Sequence, residues 1–294
     1  MISTISHFIF ICRVCKQKSA IMTDGEIPIH LIEESNLAIQ ESLPDKSRVK
    51  YEATYDTFVT WQEKQGTQSF AEADLLSYFH QLGEKYKPST LRSIYSMLKT
   101  TINNKKNIDI KNYKQLLAFL KKKNTGYNPK KSEVLTSDQI EQFLKEADDT
   151  EYLDIKVVLI IGVYGACRGG ELCNLIVDDV KDIGSSFLIK IPDTKTHRPR
   201  SFVIESEDYQ LVKKYMDLRP KDVKTSRFFL NYQKGRCTQQ VIGKNKIGHM
   251  PQKIARYLGL EEPESYTGHS FRRSSTTMLA ERGADMLSIK NHGG

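Results

Sequence analysis

The sequence predicts a mainly α-helical protein of two domains, with a small antiparallel β-sheet in the second domain. Its 294 residues, 39% of them hydrophobic, can bury real cores and suit two modest domains better than one. Apolar residues recur at helical spacing along most of the chain from residue 45 onwards. One segment, residues 187–204, instead has the pattern of two strands that flank a turn.

Residues 1–44 are predicted to form a loose N-terminal arm, because Asp, Glu, Pro and Ser mix there without sustained periodicity from residue 23. The apolar run at residues 8–11 is far shorter than the roughly 20 residues that span a bilayer, so we expect no membrane segment. Cys12 and Cys15 form one CxxC pair, which leaves half of a zinc site or an unstructured tail as interpretations. The five cysteines lack the spacing of a disulfide framework, so we expect a reducing compartment.

Residues 45–122 are predicted to form a domain of four helices. Ser69 and Glu72 have the spacing of a capping box at the start of the second helix, and Asn112 is expected to cap the fourth. The apolar stripes of the four helices are Tyr51, Tyr55, Phe58 and Trp61; Leu75, Leu76 and Phe79; Leu91, Ile94, Leu98 and Ile102; and Leu116, Leu117 and Leu120.

Residues 123–135 are predicted to form a basic linker between the domains. The whole chain carries a net charge of +8, which favours a polyanionic partner, and nucleic acid is the simplest candidate. Seven lysines and no acidic residue occur between residues 111 and 131, so this stretch is either a solvated charged face or a contact with the DNA backbone. The candidate DNA-binding residues are Lys121, Lys122, Lys123, Lys130 and Lys131.

Residues 136–294 are predicted to form the second domain. Thr136 and Gln139 have the spacing of a capping box, and a helix over residues 157–163 follows. Strands are expected at residues 187–191 and 201–204, with a turn over residues 192–200. Further helices are expected from Pro251 to Leu258 and from His269 to a stop at Gly283.

Three basic clusters occur in the second domain. They are Arg168-Gly-Gly-Glu171-Leu172, then Lys195 in the predicted turn, then His269-Ser-Phe-Arg272-Arg273 at a helix start. Each is weak by itself, but in this order and context they resemble the catalytic domain of the tyrosine recombinases, or phage-type integrases. The resemblance covers roughly residues 45–294, and the stretch from His269 to the glycines after His292 is particularly similar to recombinases of eukaryotic crypton-like mobile elements.

The resemblance implies a helical core-binding domain joined to a DNA breaking-and-rejoining catalytic domain. It implies that Arg168 and Arg272 clamp the phosphorane of a strand-cleavage reaction, since two guanidiniums can bind its oxygens bidentately. It further implies that Lys195 protonates the departing 5′ oxygen and that His269 assists proton transfer or contacts the phosphate. It implies no metal and no other cofactor.

Other interpretations of these residues stay open at this point. Arg168 could pair with Glu171 and brace a turn, and Glu171 itself is expected to be structural. Lys195 has Arg198 and Arg200 as rivals, and a basic hairpin can also simply touch phosphate. His269 could be a helix-start residue satisfied by backbone groups.

The sequence departs from the family pattern at the expected nucleophile, because no tyrosine follows His269. We expect that tyrosine, and the histidine or tryptophan before it, just past Gly294. The chain is therefore either a fragment of an active recombinase or a non-catalytic DNA-binding derivative; a helical interaction scaffold unrelated to DNA is a third interpretation. We expect double-stranded DNA as the partner and a homo-oligomer as the form that binds it. The expected location is the nucleus.

Overall fold

The computed structural model describes residues 45–194 and 198–293, together with positions 28, 30, 31, 34, 37 and 38. Cys12, Cys15 and Lys195 therefore lie outside the described residues. The chain divides into two compact units, with the boundary between Pro129 and Lys130. Among the described residues, no helix is both long enough and apolar enough to cross a membrane.

The first unit is built from helices around an aromatic and aliphatic core. They are α1 (Asp45–Gln65), α2 (Glu72–Leu82), α3 (Pro88–Lys106) and α4 (Lys114–Asn124), with a 3-10 turn at Ile110–Asn112 before α4. The apolar stripes predicted from helical spacing supply this core, whose fully buried members include Phe58, Leu75, Phe79, Leu98, Ile102 and Leu116. The helix periodicity of the sequence was thus sufficient to identify these elements.

The side-chain caps predicted for α2 and α4 are both wrong, because Glu72 of α2 bonds to α4. Glu72 does not bond back within α2; its Oε1 accepts hydrogen bonds from the backbone amides of Gln115 at 2.6 Å and Leu116 at 3.1 Å. A carboxylate from α2 therefore caps α4, where the unpaired amides and the helix dipole favour negative charge. The residue before α4 is Tyr113 and not Asn112, and Tyr113 makes no side-chain cap.

The second unit contains most of the buried apolar residues. Its helices are α5 (Ser137–Glu146), α6 (Asp149–Tyr164), α7 (Gly169–Asn174), α8 (Ser206–Asp217), α9 (Lys244–Tyr257), α10 (Ser270–Glu281) and α11 (Met286–Gly293). The predicted capping box of α5 is confirmed, since Thr136 and Gln139 exchange bonds of 3.0 and 3.2 Å. Helix α6 is buried on all sides from Leu153 to Gly162, which makes it the central helix of the unit.

The predicted hairpin is confirmed as part of a three-stranded antiparallel sheet. Strands β1 (Val180–Asp182), β2 (Phe187–Ile191) and β3 (Arg200–Ile204) lie in that order, and the β2–β3 register pairs Ile191 with Arg200. A second hairpin, β4 (Leu230–Gln233) with β5 (Arg236–Val241), was not predicted. The fold class, mainly helical with small antiparallel sheets, matches the prediction.

One predicted helix start is wrong. Helix α9 begins at Lys244, seven residues before Pro251, and contains that proline. Proline removes one backbone hydrogen bond and normally marks a helix boundary. Here Ile247, Met250 and Ile254 are all fully buried along one side of the helix, and their burial outweighs the lost bond.

Candidate functional site

The site is centred on the turn that joins α6 to α7. Gly165 has no room for a side chain, because an added Cβ would lie 2.2 Å from Phe202 of β3. The next residue, Ala166, has a φ of 43°, a left-handed conformation that costs a non-glycine residue free energy. This compact, strained turn leads directly into Arg168, the residue that precedes α7.

The carboxylate of Glu171 holds two arginines together. Its Oε1 lies 2.8 Å from Nη1 of Arg168, and its Oε2 accepts from Nη2 of Arg200 at 2.6 Å and from the backbone amide of Arg168 at 2.9 Å. Burial opposes ionisation of this carboxyl, but the hydrogen bonds from Arg200 and Arg168 outweigh it and hold the pKa of Glu171 below its ordinary value. The expectation that Glu171 is structural agrees with this geometry, and so does the interpretation that Arg168 pairs with Glu171.

Arg272 reaches the same turn from α10. Its Nη1 donates to the carbonyl oxygen of Ala166 at 3.0 Å and also to the carbonyl of Gly293 at the end of α11. An added Cβ at Gly293 would lie 2.8 Å from Nη2 of Arg272, so α11 packs closely on this guanidinium. Burial, followed by the positive charge of Arg168, lowers the pKa of Arg272, which places the two arginines within electrostatic reach.

His292 also joins the site, although it stands in none of the three basic clusters of the sequence. Its Nε2 lies 2.8 Å from the Oγ of Ser275, one helical turn beyond Arg272 on α10. Burial, and then the charges of Arg200 and Arg272, lower the pKa of His292. The imidazole is therefore neutral at pH 7 and adds hydrogen-bonding capacity to the site without adding charge.

His269 lies at the start of α10, as predicted, and is exposed. The residue before it, Gly268, approaches α7: its carbonyl oxygen would lie 4.0 Å from a Cβ at Gly169. Gly268 also packs on α9, where its own added Cβ would lie 3.2 Å from the Cα of Gly248. The chain thus brings His269 close to the residue that follows Arg168.

The role predicted for Lys195 stays a prediction, because this residue lies outside the described residues. On either side of it, the hydroxyl of Thr194 donates to the carbonyl of Arg198 at 2.9 Å and accepts from the Arg198 amide at 3.0 Å. Of the rivals to Lys195, Arg198 is exposed and Arg200 is buried in the site, where its side chain is only 11% exposed. Arg200 was noticed in the sequence only as a rival and not as a partner of Glu171.

The predicted DNA-binding lysines differ in their surroundings. Lys121 and Lys122, in the last turn of α4, and Lys131 are exposed. Lys123 instead donates to the carbonyl of Gly83 at 3.4 Å and lies 3.6 Å from a carboxylate oxygen of Glu84. Lys130 forms an exposed ion pair with Glu262 at 2.9 Å.

The arrangement around the α6–α7 turn is suited to an anion. Three guanidiniums converge on this turn: those of Arg168 and Arg200 share the carboxylate of Glu171, and that of Arg272 donates to the carbonyl of Ala166. Arginine presents its N–H groups in a planar fork that matches the oxygens of a phosphate. Within the described ranges, no group of three His, Cys, Asp or Glu side chains could hold a metal ion.

Comparison with known proteins places this arrangement in a family. A sequence model described as the phage integrase family matches residues 133–294, more than half of the chain. No curated protein sequence matches the chain.

Solved structures share the fold at low sequence identity. An integrase of the transposon Tn1549, in complex with circular intermediate DNA, has a TM-score of 0.62 and 19% identity over 90% of each chain. The site-specific recombinase XerH, in a post-cleavage complex with its difH substrate, has a TM-score of 0.56 and 20% identity over 77% of this chain and 66% of that one. A lambda integrase dimer bound to a core site has a TM-score of 0.55 and 11% identity over 91% of this chain and 95% of that one. The chain described here belongs to the phage integrase family, the tyrosine recombinases.

Proposed function

We propose that this protein binds double-stranded DNA as a tyrosine recombinase and holds one backbone phosphate against Arg168 and Arg272. The observation that carries the proposal is the convergence of three guanidinium groups on the α6–α7 turn. Guanidinium N–H groups match the oxygens of a phosphate in pairs. Relatives solved in complex with DNA support the choice of a DNA phosphate as the anion.

The proposed chemistry is strand cleavage and rejoining by transesterification. In this reaction negative charge builds up on the non-bridging oxygens of the phosphorane, and Arg168 and Arg272 would stabilise it. Lys195 would protonate the departing 5′ oxygen, and His269, exposed beside α7, would contact the phosphate or move a proton at the nucleophile. The proposed chemistry needs no metal or other cofactor.

A second candidate function is DNA binding without the covalent step. It requires only the guanidiniums around the α6–α7 turn, which lie among the described residues, and no nucleophile. The arginine cluster would then serve only to grip the backbone. We also propose that the protein assembles into a homo-oligomer on DNA, that it originates from a mobile element and that it is located in the nucleus.

The proposal is tested by equilibrium binding of residues 1–294 to a fluorescent duplex at several salt concentrations. We expect log K to fall linearly with log salt, since each neutralised phosphate releases counterions and contributes about −0.9 to the slope. Binding that is absent or independent of salt would contradict the proposal. An SDS-resistant protein–DNA adduct in the same samples would favour strand cleavage. The absence of such an adduct would favour DNA binding without the covalent step.

A further inference from the structure

We infer that Arg200 is a positioning residue that sets the orientation of the Arg168 guanidinium through the carboxylate of Glu171. The inference rests on the proposed function in one respect, since it takes Arg168 to be the group that meets the DNA phosphate. It assigns a role to a residue that the sequence motif of the family site, as described above, does not include.

Arg200 is fixed at two points by the α6–α7 region. Its Nη2 donates to Oε2 of Glu171 at 2.6 Å, and its Nε donates to the carbonyl oxygen of Gly165 at 3.1 Å. Two residues along the same strand, Phe202 occupies the space that a side chain at Gly165 would need. Strand β3 is therefore anchored to the turn through Arg200 and Phe202 together.

The carboxylate of Glu171 has two oxygens, and Arg200 determines how Arg168 uses them. The Arg168 side chain contacts Oε1, while Oε2 is taken by Arg200 and by the backbone amide of Arg168. Without Arg200, Oε2 would be open to a second N–H of Arg168. Arginine and carboxylate pair most strongly through two parallel hydrogen bonds, so Arg168 would turn towards Glu171 and away from a phosphate.

The positive charge of Arg200 affects Arg168 in the same direction as its hydrogen bonds do. In the intact site Arg200 and Arg168 share the neutralisation of Glu171. If Arg200 were replaced by an uncharged residue, Arg168 alone would neutralise the carboxylate. Its attraction for a DNA phosphate would fall for that reason too.

Stability does not account for the presence of Arg200. Its Nη1 is buried without a hydrogen-bond partner, and its guanidinium lies beside the Cys167 thiol, whose pKa burial raises. An unpartnered buried N–H costs free energy that an apolar side chain of similar length would avoid. This cost is understandable if Arg200 is retained for its effect on Arg168.

The first test is a double-mutant cycle on duplex affinity, with Arg200→Met, Arg168→Ala and the double variant. We expect each single variant to bind about tenfold more weakly, as for loss of one charge-assisted hydrogen bond. Because Arg200 acts through Arg168, the double variant should bind no more than about twofold more weakly than Arg168→Ala alone. Additive losses of about a hundredfold, or no loss in Arg200→Met, would overturn the inference. Wild-type protein that does not bind duplex would instead refute the proposed function.

The second test needs no DNA and so separates the two proposals. The rate at which phenylglyoxal modifies Arg168 is measured by peptide mass spectrometry in the wild type, Arg200→Met and Arg200→Lys. We expect Arg200→Met to slow the modification several-fold, because Arg168 is drawn onto Glu171, and Arg200→Lys to restore part of the rate, since lysine keeps the charge but not the planar fork. An unchanged rate overturns the inference. If Arg200→Met does not fold, both tests are made with Arg200→Lys. The inference is then refuted if this variant has the wild-type rate of Arg168 modification and the wild-type affinity for duplex DNA.

Discussion

The two ends of helix α6 both bury charged side chains, but they balance the charges differently. At the amino-terminal end, Asp149 is bridged by Lys156 at 2.7 Å and by Lys214 at 2.8 Å, and the buried Asp154 faces Lys246 at 3.4 Å. At the carboxyl-terminal end, one carboxylate, that of Glu171, is shared by two arginines, and a third is held by backbone carbonyls.

The two ends differ in which kind of ligand they suit. Asp149 and Asp154 at the amino-terminal end each lie beside at least one lysine, so these charges are paired within the protein. The carboxyl-terminal end gathers three guanidiniums in a place where the negative pole of α6 already favours cations. We therefore interpret the first end as structural and the second as a binding site.

The largest effect is expected from removing the one acid of the arginine cluster. Glu171→Gln leaves the largely buried Arg200 without its ion-pair partner, and breaking a buried pair in this way costs about 3–5 kcal/mol of unfolding free energy. Urea unfolding followed by far-UV circular dichroism measures this loss. The matched control is Glu264→Gln, whose pair with Arg256 is exposed and screened by solvent, so its loss should change the unfolding free energy much less. Equal losses in the two variants would contradict a special role for Glu171.

A smaller effect, on binding, is expected from the exposed lysines of α4. Replacing Lys121 and Lys122 by alanine should reduce the slope of log K against log salt by about 2 in magnitude, or about 1 for each lost phosphate contact. Duplex binding at four or more salt concentrations gives the slope. Lys213→Ala with Lys214→Ala is the matched control, since these lysines pair with carboxylates of their own unit. If the α4 variant keeps the wild-type slope, the segment lies outside the DNA interface.

The smallest effect concerns the pH dependence of stability, where the two ends of α6 differ in sign. Burial raises the pKa of Asp154, so its protonated form is favoured in the folded protein and its contribution to stability is lost as pH rises through the raised pKa. The pKa of Glu171 is lowered, so its contribution is lost as pH falls through the lowered pKa.

Asp154→Asn should therefore flatten the decline in unfolding free energy as pH rises above the ordinary carboxyl pKa, which lies near 4. Urea unfolding between pH 4 and pH 8 provides the measurement. Asp178→Asn, a change at an exposed position before β1, serves as the control. If Asp154→Asn shows the same pH dependence of the unfolding free energy as the wild type, burial of the Asp154 carboxyl does not cause that dependence.

Helical spacing and order of motifs predicted most of the fold. The stripes of the first unit, the capping box at Thr136 and the strands around residues 192–200 follow from local rules, because each depends on residues close in sequence. The β4–β5 hairpin was missed because its strands contain polar residues and lack alternation. Its turn residues, Lys234 and Gly235, both have positive φ, and the glycine in this two-residue turn is the signal that sequence reading could have used.

The candidate site was predictable only in part, for a related reason. Arg168, His269 and Arg272 stand in short motifs whose order resembles that of the tyrosine recombinases, and this resemblance implied a shared site. Arg200 and His292 enter the site only through the packing of β3 and α11, which no local pattern encodes. The contact of Glu72 in the first unit was likewise not predicted by a local pattern, because Glu72 caps a helix that begins some 40 residues later in the chain.

We propose that the arginine cluster at the end of α6 holds a DNA phosphate. Duplex binding is therefore compared among the wild type, the double variant Arg168→Ala with Arg272→Ala, and Arg273→Ala. Arg273 neighbours the cluster in sequence, but its Nη1 donates to the carbonyl of Ser132 at 2.6 Å. We expect a slope of log K against log salt that is smaller in magnitude by about 1 in the double variant, for the one lost phosphate contact, and unchanged in Arg273→Ala. Equal slopes in all three folded proteins would contradict it.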